Sequence, residues 1–305
     1  MKPTALVTGA SGFLGRHLVS ALRQAGYPVV AWIRNPGPDA ADDGIKLEPW
    51  PAFEAFDAAI EKLERPIVYH LAAAPIRNAH NPATQFETNI RMTAGLVQAA
   101  ANTGARGFVY SGSCTEYGPA PAGVPIAETA PLASVNLYDA SKAAAGLWAQ
   151  AVARYAGIGF AWARLFGLYG PGVKPPRLLP TVHAALRNHR AVPLTPGAQV
   201  RDWLYVADAA GGLLRLGEHA EQGGQGVFNL CTGTAITTRE LVTLFARRMG
   251  ADLALLQFGA LPMRDDEAPW LVGDPTRAWQ LGWSARTEMA DGLDATIAAL
   301  DRQAN

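Results

Sequence analysis

Three glycines near the N-terminus constrain this chain more than any other feature. In TALVTGASGFLG (residues 4–15), Gly9, Gly12 and Gly15 stand in the spacing GxxGxxG between an apolar strand-like run and the first turn of a helical pattern. Missing side chains there permit a tight turn, let the backbone approach a pyrophosphate and let a helix lie close on a sheet, while the helix N-terminus offers amide donors to an anion. Such a unit needs parallel partner strands. YPVVAWI, RPIVYHLAAA, GFVYSGS and IGFAWARLF are near-continuous apolar runs, separated by helical stretches such as NIRMTAGLVQAAANTG and the one that opens at YDASK. This alternation predicts an α/β fold, a doubly wound parallel sheet covered by helices on both faces.

Beyond Phe166 the character changes. GLYGPGVKPPRLLP is dense in glycine and proline, which predicts mostly loop and a crossing to a second lobe. QVRDWLYV and GVFNLCTG read as strands separated by a short helix, and amphipathic patterns around Thr238–Met249 and Ala290–Arg302 close the chain. The expected organisation is a dinucleotide-binding domain over 1–166, rejoined by 200–232, with a smaller discontinuous substrate lobe made of 167–199 and 233–305.

Charge excludes some partners. With 26 Lys and Arg against 26 Asp and Glu the net charge is zero, so no global field draws in nucleic acid or an anionic membrane. Any anionic ligand must be held by local groups. Cys114 and Cys231 are too few for a disulfide framework or a zinc site, and the histidines show no metal-ligand spacing, so no metal is expected. MKP runs straight into the first apolar strand without room for a signal peptide, and the apolar tract 143–169 is broken by Arg154 and Arg164. A soluble cytoplasmic protein is expected.

The end of the second strand discriminates between dinucleotides, because NAD readers place an acid there to hold the ribose 2′-hydroxyl. Here Ile33 and Arg34 occupy that place and no carboxylate appears before Asp39. Arg34, with Arg16 just after the third glycine, suits a 2′-phosphate, so NADP(H) is favoured. Arg34 as merely the first solvated residue after a strand leaves NAD(H) open.

YDASK places Tyr138 and Lys142 one helical turn apart on one face. A free phenol has a pKa near ~10, so it is a poor proton relay at neutral pH. A cation beside it, close to an oxidised nicotinamide, would lower that value. Taken alone the pair is common helix surface. Ser113, closing the strand FVYSGS next to this helix, adds a hydroxyl able to hold a substrate oxygen against Tyr138.

With these three residues in place, the chain resembles the extended short-chain dehydrogenase/reductase family, in its nucleotide-sugar epimerase, reductase and dehydratase branch. TGASGFLG, VYHLAAAP, Asn89 in ETNI, SGSCTEYG, YDASK, RLFGLYGPG, VRDWLYVADAA, VFNLCTG and GDPTRAWQLGW carry the resemblance in order over almost the whole length. It implies a Rossmann-type fold with Tyr138 as acid/base, Lys142 as its partner and cofactor clamp, and Ser113 as the substrate-positioning hydroxyl. It further implies that Gly9, Ser11, Gly12, Phe13, Leu14, Gly15, Arg34, Leu71, Ala72 and Ala73 line the cofactor together with Tyr138 and Lys142. Ser113, Cys114, Thr115, Arg201 and Arg264 would line the substrate. The two arginines would grip its diphosphate, since a neutral protein needs guanidinium forks at such a site; alternatively Arg201 pairs with Asp202 on the surface and Arg264 balances Asp265, Asp266 and Glu267. A homodimer through helices of the first domain is also implied.

Departures from the family pattern narrow the chemistry. Dehydratases of this branch carry Asp and Glu after the catalytic hydroxyl; Cys114 and Thr115 stand there instead, and neither is a carboxylic acid. Glu116 comes one place late and, on an extended strand, would point away. Cys114 is expected only to pack beside the pocket. Arg34 favours an NADP(H)-dependent reductase of a nucleotide-activated 4-keto sugar, with the pro-S hydride as a family implication. Gly167, where many epimerases carry an asparagine, weakens the alternative, an NAD(P)-dependent nucleotide-sugar 4-epimerase. A non-catalytic dinucleotide sensor would typically lose the Tyr/Lys pair, and a reductase of small lipophilic ketones would leave Arg201 and Arg264 without a diphosphate.

Overall fold

The computed structural model describes residues 2–33, 46–74, 81–263 and 267–304. Arg34 and Arg264, both expected to hold anions, lie outside the described residues. From the N-terminus, β1 (Ala5–Thr8), α1 (Phe13–Gln24), β2 (Val29–Ile33), β3 (Lys46–Pro49), α2 (Phe56–Glu61) and β4 (Ile67–His70) lead to α3 (Pro82–Gln85), α4 (Met92–Asn102) and β5 (Gly107–Ser113). Next come α5 (Leu137–Ala156), β6 (Gly159–Leu165), β7 (Gly167–Tyr169), α6 (Leu178–Arg187), β8 (Val192–Leu194), β9 (Val200–Arg201) and β10 (Trp203–Tyr205). The described chain ends with α7 (Val206–Glu221), β11 (Gln225–Leu230), β12 (Ile236–Thr237), α8 (Thr238–Arg248), β13 (Leu256–Phe258), β14 (Trp270–Leu271), α9 (Thr276–Gln280) and α10 (Met289–Ala304).

Seven strands form one sheet in the order β11-β6-β5-β4-β1-β2-β3, every pairing parallel. This is the doubly wound arrangement expected. The order reverses beside β1, which opens a crevice at the carboxyl ends of β1 and β4. Side chains alternate across the sheet with the period of the pleat. Phe108 and Tyr110 of β5 and Phe160 and Trp162 of β6 pack toward the helices α2, α4 and α5. Val109, Ala161 and Ala163 pack on the other face, with α1 and α7. A separate apolar cluster joins α6, α8 and α10 through Leu179, Val182, Leu186, Leu241, Phe245, Leu293 and Leu300.

Several expectations need correction. The connection between QVRDWLYV and GVFNLCTG is not short but the sixteen-residue helix α7, whose small residues read as weak periodicity. The segment expected to be loop after Phe166 contains β7 and the start of α6, because Gly167 pairs alongside Trp203 and Leu178 opens a helix beyond the prolines. β3, with the sequence KLEP and little buried surface, carried no apolar signal. Finally, the chain does not stay extended after Ser113: residues 114–117 form a short 3-10 turn.

Candidate functional site

The glycine turn and the Ser113 turn both follow the carboxyl ends of parallel strands, so the sheet sets them side by side. A cavity of about 1180 Å³ connects them, lined among others by Gly9, Ser11, Gly12, Phe13, Leu14, Gly15, Leu71, Ala73, Ser113, Cys114, Thr115, Tyr138, Lys142 and Arg201. Ala72 is not part of the lining; it is the floor under the turn, since a Cβ on Gly9 would meet its amide nitrogen at 2.7 Å.

The glycines act by absence. Gly9 has φ +70°, and a Cβ on Gly15 would lie 2.2 Å from the Gly9 carbonyl oxygen and 2.7 Å from the Ala10 Cα. Helix α1 therefore rests on its own turn, and at the three glycines an incoming group meets backbone. The segment 71–74 is fixed beside it: Thr8 Oγ1 accepts from the amides of Leu71 (3.2 Å) and Ala72 (3.3 Å). Asn89 Oδ1 accepts from the Ala74 amide at 2.8 Å, and its Nδ2 donates to Gln85 and to Ser141 on α5. These residues fit a dinucleotide, the free backbone cradle supplying the room for its pyrophosphate.

At the other end, Asn136 caps α5, accepting from the Asp139 amide at 3.0 Å, so that Tyr138 falls in the first turn. The helix sits close on β6 because Gly146 leaves no Cβ against the Trp162 ring. Tyr110 Oη donates to the Lys142 carbonyl at 3.0 Å, and the Lys142 ammonium lies 4.5 Å over the Tyr110 ring. Lys142 is buried, and burial pulls its ammonium down to about 8 against a partial restoration by Glu116. His70, between Thr8 Oγ1 and Thr93 Oγ1, is held neutral by burial, at about 3.

Tyr138 departs from expectation. Its phenol is raised above the ordinary 10.0, first by burial and then by the charges of Glu116 and Asp139, with Arg177 opposing. The anticipated lowering by Lys142 is not seen, because that ammonium is aimed at Tyr110 and makes no hydrogen bond to the phenol among the described residues. Ser113 Oγ accepts from the Thr115 amide (3.2 Å) and shares a hydrogen bond with Thr115 Oγ1 (2.8 Å). Cys114 is pushed up to about 12 by burial, which makes the thiol inert as a base.

Arg201 does not pair with Asp202. Asp202 is buried and accepts from the Thr232 and Gly233 amides, whereas Arg201 Nη2 reaches Glu267 Oε1 at 3.1 Å inside the cavity wall. The sequence reading missed Glu267 in this role. It also missed Arg177, an exposed cation on the rim whose guanidinium lies 5.9 Å over the Phe13 ring; its only signal was a basic residue inside the proline-rich segment. Among the described residues no cluster of acids, histidines and cysteines could hold a metal, and no helix is long and apolar enough to cross a membrane.

Residues 5–231 match the sequence profile of the NAD dependent epimerase/dehydratase family. The chain belongs to this family. Its members of this extended short-chain dehydrogenase/reductase type are enzymes, and so is this chain. A dTDP-glucose 4,6-dehydratase of Streptomyces griseus is 30% identical over 310 residues, covering 96% of this chain and 92% of that one. A UDP-glucose 4-epimerase of Mycolicibacterium smegmatis is 28% identical over 316 residues, covering 96% of each. Among solved structures, the UDP-glucose 4-epimerase of Thermotoga maritima with UDP-glucose superposes at a TM-score of 0.88, with 25% identity, 99% of this chain and 100% of that one. MoeE5 in complex with UDP-glucose and NAD gives 0.87, with 27% identity and the same coverage.

Proposed function

We propose that this member of the epimerase/dehydratase family moves a hydride at C4 of a nucleotide-activated sugar, as an NAD(P)-dependent 4-epimerase. The observation that carries the proposal is the single cavity in which the glycine cradle, Ser113, Tyr138, Lys142 and Arg201 all meet. A dinucleotide whose pyrophosphate is held by the glycine turn would supply the hydride acceptor and donor through its nicotinamide. Gly9, Gly12 and Gly15 receive the pyrophosphate of the dinucleotide, and Leu71 to Ala73 support it. Lys142 reaches the ribose hydroxyls and supplies positive charge. Tyr138, whose phenol burial keeps protonated in the free chain, would take the proton of the sugar hydroxyl as phenolate once a positively charged nicotinamide is bound, and return it, while Ser113 holds that oxygen. The segments 167–199 and 233–305 form the substrate lobe, and Arg201, where the chain returns to the first domain, exchanges Glu267 for the substrate diphosphate.

Dehydration is disfavoured although a dTDP-glucose 4,6-dehydratase is 30% identical: Cys114 and Thr115 stand where a carboxylic acid pair is needed, the thiol inert and the hydroxyl bound to Ser113. A relative that epimerises UDP-glucose and neighbours that hold NAD with UDP-sugars favour epimerisation with NAD. The second reading, an NADP(H)-dependent 4-keto reductase, is favoured by the absence of an acid between Ile33 and Asp39 and by Arg34. One experiment separates them: UDP-, dTDP-, GDP- and CDP-sugars are incubated with catalytic NAD or stoichiometric NADPH and followed by proton NMR. Interconversion of C4 epimers without net cofactor consumption is expected. Consumption of NADPH matched to reduction of a 4-keto sugar would establish the reductase, and no turnover of any nucleotide sugar would overturn both.

A further inference from the structure

Glu116 lies outside the cavity lining and no step above uses it, yet it is fully buried directly behind Ser113. Its Oε1 accepts from the Ser113 amide at 2.8 Å and its Oε2 from Arg164 Nε at 3.1 Å. Arg164, also buried, lies against the rings of Tyr117 and Trp162, at 4.6 Å and 4.5 Å, and donates to the Glu128 carbonyl at 3.2 Å. The strand makes room for the carboxylate: a Cβ on Gly112 would stand 2.6 Å from Oε1. A buried ion pair of this kind is commonly no more stable than apolar residues of the same volume, so stability alone gives little reason for it.

Its position supplies a reason. Lys142 needs a counter-charge, because among the described residues its ammonium donates no hydrogen bond and rests only on the Tyr110 ring. The titratable groups around it are Tyr110 and His70 from the sheet, Tyr138 and Asp139 from its own helix, and Glu116 from the turn after β5. His70 is neutral, Tyr110 is raised well above 10.0 by burial, and Asp139 is engaged at the helix cap with Asn136. Glu116 stands on the turn 114–117, which packs directly against α5, and it is the acid whose charge acts on the ammonium.

We propose that Glu116 is a positioning residue: its carboxylate, gripped by Arg164, fixes the Ser113 hydroxyl in register through the Ser113 amide and supplies the counter-charge of the buried Lys142 ammonium. One side chain thereby couples the hydroxyl that would hold the sugar oxygen to the cation that would hold the cofactor ribose. The assignment rests on the proposed roles of Ser113 and Lys142. Burial raises Glu116 to about 7 even with Arg164 beside it, so the link is strongest where Glu116 has lost its proton and Lys142 has kept its own.

The test reads Lys142 without substrate, so a silent turnover assay cannot be mistaken for failure of this assignment. The chain has five lysines, which allows a full-chain NMR titration with ¹³Cε-labelled lysine, Lys142 being assigned by the resonance missing in Lys142→Arg. The wild-type midpoint is expected near 8, and in Glu116→Gln it falls by about one pH unit. Because Glu116→Gln leaves Arg164 buried and unpaired, Glu116→Gln/Arg164→Gln is titrated beside it, with the same fall expected. With the substrate found above, kcat drops about tenfold and its alkaline limb moves with Lys142, while KM and dinucleotide affinity hold. A folded variant whose Lys142 midpoint and alkaline limb stay at the wild-type positions overturns the proposal and leaves Glu116 as packing alone.

Discussion

At the glycine end of the cavity, space is made by leaving side chains out; at the tyrosine end, ionisable side chains are taken out of water and packed against one another. The first end is made of backbone and is indifferent to pH. The second holds Glu116, Lys142 and Tyr138, each displaced from its ordinary titration range by burial; neighbouring charge partly restores Glu116 and Lys142 and pushes Tyr138 further. One end is therefore intolerant of added volume, and the other is sensitive to protons and costs stability. Substitutions that respect this division sharpen it, and substitutions that cross it would break it.

The largest effect is expected from volume at the glycine end. In Gly15→Ala the new Cβ meets the Gly9 carbonyl and the Ala10 backbone, neither of which can swing aside. Calorimetry should show dinucleotide affinity down by more than about 100-fold, with stability lower by roughly 1–3 kcal/mol. Unchanged affinity would show that the turn does not hold the dinucleotide. Next in size is Arg201→Ala, which removes a guanidinium but no volume from the cradle. Nucleotide-sugar affinity should weaken about 10- to 100-fold with dinucleotide affinity intact. Equal losses for both ligands would erase the distinction between the two ends.

The charged end should also shape stability against pH. Glu116 titrates at about 7 in the folded chain against an ordinary 4.5, so between those values the folded state binds the extra proton, and stability rises as pH falls from 7 toward 4.5. Lys142 titrates at about 8 against 10.5, so between those values the unfolded state binds the extra proton, and stability rises as pH climbs from 8 toward 10.5. Each arm is worth on the order of 3 kcal/mol. Chemical denaturation across pH should show the acid arm disappear in Glu116→Gln and the alkaline arm in Lys142→Met. The smallest effect expected is that Lys142→Met raises the stability of the free chain near pH 7.5 by about 1 kcal/mol, by removing a buried charge. A fall in stability instead would mean that the ammonium stabilises the chain.

The same division explains what could be read from the sequence. Glycine spacing is a local steric code, so the turn, the parallel sheet and the Tyr138–Lys142 spacing were legible from neighbouring letters. The stretch that opens at YDASK likewise read as a helix, which is α5. What was not legible depends on chain brought from far away. Glu116 meets Arg164 across forty-eight positions and Arg201 meets Glu267 across sixty-six. No local pattern tells a buried glutamate from a solvated one. The 3-10 turn at 114–117 was likewise hidden, since its signal, Ser113 and Glu116 three apart, reads as a helix start only once the strand is known to stop there. Arg34 and Arg264 lie outside the described residues.

The central claim is that Tyr138 exchanges the proton of the sugar hydroxyl while the glycine end holds the dinucleotide independently. Turnover of the nucleotide sugar identified by NMR should be compared in wild type and Tyr138→Phe, after titration has shown equal dinucleotide affinity in both. A loss of turnover of about 1000-fold or more is predicted, with affinity unchanged. Turnover within a factor of two of wild type in a fully loaded Tyr138→Phe chain would contradict it.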